Sequence, residues 1–529
     1  MVESFASARE AANKIQSSPA PIGGLNAYDS LVAMPPTDAL VLRNWWPQPY
    51  GCSIRKGYRQ WATALPSAVH TVAAWASNNS GGKMFAWSGA GMYDITTSGP
   101  VGAPIVTDLT NAYWQYINFT NAAGTHLLAV NGADDAIGYD STGVFRIAAG
   151  TGPNDWEGLD PADVIQLTMH QHRLWATEVA TSKGWYLLPD QFKGAWVSFD
   201  FGPLWIKGGY LQFLTTWTID DGNGAEDHLV AVSSQGEAVV YGGTDPADDT
   251  KWFLVGVYNV GAPVSGRRAY AKVGGDLVLL TQQGAVSMAG MLVSTKVNEV
   301  SNTVKSQKIQ FLISDLVGQY SALSDWEIRY SPKHNMLFIN VPSITNQGNV
   351  QLASNQIVDA WTTFVGMDAS TWCVIGTQMY FGDYDGVVHE AWVENSDKVL
   401  VNGTGGQPIL AEVQQAYTYL GSPATQKQVG MYRPTFITNR AVVYNTKIFY
   451  DFVIADIPAY GVLLPVDGAF WNSALWNSSQ WGGGDTVERI WVQAEGLGYA
   501  VSFRMTIQSQ AEVLWVATDY SYIGNLGLL

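Results

Sequence analysis

From about residue 65 to 393 the chain repeats one pattern: an apolar run, a turn rich in Gly, Asn or Asp, and a second apolar run. The copies are KMFAWSGAGMYDI from Lys83, HLLAVNGADDAIGY from His126, HRLWATEVATSKGWYL from His172 and HLVAVSSQGEAVVYG from His228, then GDLVLLTQQGAVSM from Gly275, NMLFINVPSITNQGNVQL from Asn335 and QMYFGDYDGVVHEAW from Gln378. Their starts lie 43, 46, 56, 47, 60 and 43 residues apart. A period of about 40–50 residues holding several strands predicts a β-propeller, because a lone hairpin cannot bury both its faces and must stack on neighbours. Seven hairpins mean seven blades, or six if one copy completes a blade begun by an N-terminal strand.

Outside this span the pattern changes. Phe5, Ala8, Ala12 and Ile15 recur at helical spacing before Ser17-Ser18-Pro19, which predicts a short helix over 3–16. A Gly- and Pro-rich extended segment runs from Pro21 to Gly57, so 1–64 reads as a helix and arm. After about 395 the period is lost, and 430–460 and 486–525 alternate apolar and polar residues as long strands do. Residues 394–529 therefore read as a β-sandwich-like platform domain that also recruits N-terminal strands. The fold class is all-β.

Composition supports this and narrows function. Charged residues make up only 14%, against roughly 25% in an average soluble protein. Aromatic residues and 54 glycines fill the difference, favouring strands joined by tight turns. The 28 basic against 45 acidic residues give a net charge of −17, the opposite of a surface that grips phosphates. Cys52 and Cys373 are too few and too far apart for a disulfide framework and read as buried free thiols. No signal-peptide pattern or apolar run long enough to span a membrane is present, so no membrane insertion is expected.

Few residues suggest chemistry. His170 and His172 would share a face on a strand, but no third ligand stands at a usual spacing, so a structural role is favoured. Asp221, Asn223 and Asp227 offer oxygens like a partial calcium loop without its closing bidentate Glu, and an acidic hairpin turn is the simpler reading. Asp383-Tyr384-Asp385-Gly386 is likewise a turn. No phosphate loop or nucleophile elbow occurs, so no catalytic residue, metal or cofactor is assigned and the chain is read as a non-enzyme. Trp87, Trp175, Trp252 and Trp361 lie in strand-like runs and read as core. Trp471, Trp476 and Trp481 alternate with small polar residues before three glycines, and are the candidate interface anchors.

The N-terminal segment carries Gly24-Leu25-Asn26, Asp38-Ala39, Asn44-Trp45-Trp46-Pro47 and Arg55-Lys56-Gly57-Tyr58 in that order. It resembles the opening of tail nozzle proteins of short-tailed bacteriophages, also called tail tubular or DNA-stabilisation proteins. WFLVGVYNVGAPVSGRRAY (252–270), DAWTTF (359–364), MYFGDYDGVVHEAW (379–392) and AYTYLGSPATQKQVGMYRP (416–434) extend the resemblance over essentially the whole chain. It implies a structural virion protein: a homohexameric ring below the portal adaptor (the head-to-tail connector), six blades per subunit, tail fibres or spikes docked outside, and double-stranded DNA passing through a negatively charged channel. Localisation would be the virion tail, assembled in the host cytoplasm. The alternative is a carbohydrate-binding or carbohydrate-cleaving propeller acting in receptor recognition, which should bring acids and aromatics together at one mouth of the propeller.

Overall fold

Each of the seven repeated hairpins forms the second and third strands of its own sheet, and a first strand before it lies innermost. In the computed structural model, which describes residues 13–76, 81–220, 225–293, 304–345, 348–440, 442–459 and 486–526, the seven innermost strands are Val69–Trp75, Gln115–Asn121, Val164–His170, Leu211–Asp220, Tyr270–Val273, Glu327–Ser331 and Ala369–Ile375. They neighbour one another in that order, and the seventh packs against the first. The fold is a seven-bladed propeller, so the hairpin count of seven holds and the six blades implied by the resemblance do not. Strands account for 55% of the described residues and helices for 6%, far from any helical or α/β alternative.

Successive apolar clusters sit between successive blades, as with Trp87 and Trp114 stacked between blades 1 and 2 and Trp175 and Trp252 between blades 3 and 4. Both faces of a blade are thereby covered, which explains why Met336–Val341 is buried at every position and apolar at all but Asn340, rather than alternating. The four strand tryptophans read as core are buried, as are both cysteines, which are unpaired.

An N-terminal strand, Gly57–Thr63, pairs antiparallel with Val388–Glu394 and supplies the outer strand of blade 7. At the seam with blade 1, Ser370 Oγ donates to the carbonyls of Val69 and Gly382. A Cβ on Gly382 would lie 2.7 Å from the Cβ and carbonyl oxygen of Val69. Gly382→Ala should therefore push blades 7 and 1 apart and cost about 1–3 kcal/mol, read as an earlier denaturation midpoint.

Blade 6 does not end at its fourth strand. Ala360–Val365 is followed by Asp38–Arg43, Ile409–Gln415, Val501–Ser509 and Tyr444–Tyr450 in one nine-stranded sheet. A second sheet holds Trp45–Gln48, Gly51–Ile54, Val513–Leu526, Gln426–Thr438 and Thr486–Arg489. The two sheets face each other through Trp45, Tyr432, Phe503 and Trp515, whose rings approach within 5.4–5.8 Å. This is the β-sandwich, and it shares a sheet with the propeller.

Two expectations need correction. Of the helix predicted over 3–16, residues 1–12 lie outside the described residues, and Lys14–Pro19 is a strand paired in register with 517–522 of Val513–Leu526. Six residues of ladder pairing outweigh a weak helical spacing that ends in Ser-Ser-Pro. A helix that the sequence reading passed over lies at Gln310–Tyr320, inside the longest interval between hairpins. Ile309, Ile313 and Val317 recur every four residues and are its buried face.

Candidate functional site

Two places in the fold concentrate buried polar groups, and only the first gathers residues that the sequence singled out. The first is a joint between propeller and sandwich. The buried Arg55 guanidinium grips Asp397 through two 2.7 Å bonds, donates from Nε to Asn44 Oδ1 (2.9 Å) and from Nη2 to the Val365 carbonyl (2.7 Å). Asn44 in turn receives the Val365 N–H and donates to the Leu410 carbonyl. Gly57 must be glycine, since a Cβ there would stand 2.0 Å from the Ser396 carbonyl oxygen. Tyr58 donates to the Gly366 carbonyl, Thr362 to the Trp45 carbonyl and Asn26 to Asp38, which also pairs with Lys308. The joint is architecture: its groups are buried and mutually satisfied.

The second place is the propeller's axis. At the face where the innermost strands begin, a cavity of about 830 Å³ receives side chains from all seven blades, among them His70, Gln115, Ile165, Gln212, Glu327 and Ser370. The loop before blade 5 reaches into it. Arg268 donates across the axis to Thr71 and Thr371 hydroxyls and to the Trp114 carbonyl, with Glu327 3.8 Å away. That bar makes the mouth a cup rather than an open tunnel. Glu327 is held by Arg329 (2.6 Å) and by the Trp372 N–H (2.8 Å). Asp325 receives the Tyr384 hydroxyl, and burial raises its carboxyl above the usual range. His70 stacks on Tyr113 at 4.1 Å, and burial beside Arg268 lowers its imidazole to about 4. A neutral imidazole, aromatic rings and amides thus line the cup with groups chemically able to contact a polar ligand.

The other sequence candidates fare differently. Trp471, Trp476 and Trp481 lie outside the described residues, as do Asp221 and Asn223. Asp227 sits in a strand and accepts from the Thr218 hydroxyl. Asp383 closes its turn by accepting the Asp385 and Val387 N–H groups and pairs with His389 at 2.7 Å. Among the described residues no group of three or more His, Cys, Asp or Glu could hold a metal ion.

His170 and His172 do not share a face. Gln171 and His172 take positive φ, turning the chain so that His170 is buried edge-on to Trp252 while His172 points to solvent. Burial lowers His170 to about 4. The unfolded chain takes up that proton near pH 6.5, so between 6.5 and 4 it holds more protons than the fold, and stability falls as pH drops. His170 alone should remove about 2 kcal/mol between pH 7 and pH 5. His170→Phe should flatten that part of the pH dependence in urea titrations at the two pH values.

No family model and no curated protein matches the chain. Among solved structures it is similar to YCF48 from Cyanidioschyzon merolae, with 12% identity over 63% of this chain and 98% of that one and a TM-score of 0.36. The BBS1N–ARL6DN complex gives 8% identity, coverage of 64% and 98%, and a TM-score of 0.37. A putative 6-phosphogluconolactonase from Bacteroides fragilis gives 14% identity, coverage of 60% and 88%, and a TM-score of 0.34. Likeness this distant carries no argument about function; the propeller rests on its own strand order.

Proposed function

We propose that this chain is a structural protein of a short phage tail, a subunit of the nozzle ring that continues the DNA path below portal and adaptor and carries fibres or spikes, with no catalytic step. The observation that carries the reading is the joint. The nozzle-like segments at 24–26, 38–39, 44–47 and 55–58 are bonded to one another around Arg55 and Asp38, and the Thr362 hydroxyl and the Val365 carbonyl, more than 300 residues later at the 359–364 segment, join them there. A resemblance scattered by chance has no reason to converge. Assembly with neighbours is further supported by the sandwich edges. Ile15 is 69% exposed on one edge strand, and Val487 and Ile490 are exposed at the other, which follows the Trp471–Trp481 segment in sequence. Since Arg268 bars the propeller axis, a duplex would pass between subunits, where a net −17 per chain keeps phosphates from sticking.

Mass photometry of tails released from virions should give six copies per tail, with antibody label on the tail axis. Another stoichiometry, or label confined to fibre tips, ends this reading. Trp476→Ala should block tail completion or fibre attachment while leaving the melting temperature of the isolated subunit almost unchanged.

A second reading, sugar binding in receptor recognition, is favoured by the axial mouth, where Tyr113, Tyr384, Asp325 and Glu327 come together.

A further inference from the structure

The axial cup holds one cation that the protein does not neutralise. Arg267 lies at its wall and donates from Nη1 to the Asn131 carbonyl on the far side of the ring (2.7 Å). Its Nη2 stands over Gly132, 3.1 Å from where a Cβ would be, so a larger residue there would crowd the guanidinium. Among the described residues no carboxylate lies within ion-pair distance of it, although carboxylates pair with Arg43, Arg55, Arg59, Arg173, Arg268 and Arg329. Burial and the neighbouring Arg268 lower its pKa to about 10, the mark of a cation without a counter-charge. Guanidinium donors left over in a cavity suit a carboxylate, which they meet as a planar fork.

The rest of the cup suits hydroxyl groups. Gln115, Gln235 and Gln282 line it with amides that make no side-chain hydrogen bond to described residues, and each can both donate and accept. Tyr113 and Tyr210 are partly exposed at the rim and present ring faces. Asp325 is held on its own side by Tyr384 and Tyr113, so its charge faces a different part of the cup from Arg267. About 830 Å³ accommodates a ligand of one to two sugar rings.

We infer that the axial mouth binds an acidic sugar unit, its carboxylate on Arg267 and its hydroxyls on the Gln115, Gln235 and Gln282 amides. This rests on the sugar-binding reading of the mouth and narrows it to one chemical class. Calorimetric titration of the full chain with glucuronate-, galacturonate- and N-acetylneuraminate-terminated disaccharides, each beside its carboxyl-reduced counterpart, tests both. At least one acidic ligand should bind, with its reduced form roughly ten- to a hundredfold weaker, the span of a lost charge-assisted bond. Arg267→Gln should bring the acidic ligand down to the level of the neutral one while lowering the melting temperature by only a few degrees, since one charge-assisted bond to the Asn131 carbonyl is all it gives up. If acidic and neutral forms bind alike, the carboxylate assignment falls and the sugar reading stands. If none binds, both fall. If acetate competes as well as the sugar acid does, the site is an anion site and the sugar class is wrong. The comparison on the unmodified chain decides these cases even if the variant fails to fold.

Discussion

Arg55→Met should destabilise the protein by about 3–5 kcal/mol, the usual cost of removing one partner of a buried ion pair. The guanidinium makes two bonds to Asp397 and one each to Asn44 and to the Val365 and Lys56 carbonyls, and methionine replaces none of them. The loss comes less from the missing attraction than from Asp397, left charged and nearly out of water. A double change, Arg55→Met with Asp397→Leu, should recover most of the loss, because the stranded charge disappears with its partner. Arg55→Lys should recover little, since an ammonium cannot span the carboxylate, the Asn44 oxygen and the Val365 carbonyl together. Denaturant midpoints of the three variants measure this. If the single and double variants are equally destabilised, the joint is held by packing and the pairing argument is wrong.

Arg268→Met should cost about 3 kcal/mol, at the upper end for hydrogen bonds to a charged group. Its guanidinium fastens the loop before blade 5 to blades 1 and 7 and to the entry of blade 2, so the loss should spread around the ring. Amide exchange should quicken in Val69–Trp75 and Ala369–Ile375 together, though neither adjoins the substitution in sequence. Faster exchange limited to 263–269 would mean that the bar holds its own loop and not the ring.

The propeller was legible because every blade repeats the same hairpin, and each copy signals independently of the others. The period left seven blades or six, the resemblance favoured six, and only the order of the innermost strands gives seven. The helix at Gln310–Tyr320 was legible too, in the four-residue recurrence of Ile309, Ile313 and Val317, but was hidden inside one interval of an otherwise regular repeat. The strand at Lys14–Pro19 could not be read locally, because its partner is Val513–Leu526 and pairing at that distance leaves no mark on neighbouring residues. The axial site was the least legible. It combines loop residues with a residue at the head of each of several innermost strands, often a polar residue following an apolar one, as in Val69-His70, Leu211-Gln212 and Trp326-Glu327. Each such pair is ordinary until the ring brings them together. Arg267 and Arg268 are neighbours in sequence, but one proves to be a crossbar and the other an unneutralised charge, a difference set by Thr71, Thr371 and Asn131 on distant blades.

The strand that closes blade 7 also sets an order of events during synthesis. Arg59 waits for Glu390, 331 residues later, and the strand that holds Ile15 waits for Ser521. At about 5–20 residues per second, Gly57–Thr63 stays without its partner for on the order of 15–60 s after leaving the ribosome. A chain released early keeps that strand as a bare edge and has no seventh blade to close against. Such a product cannot form the shut ring or the finished sandwich, both of which wait for strands that are made last.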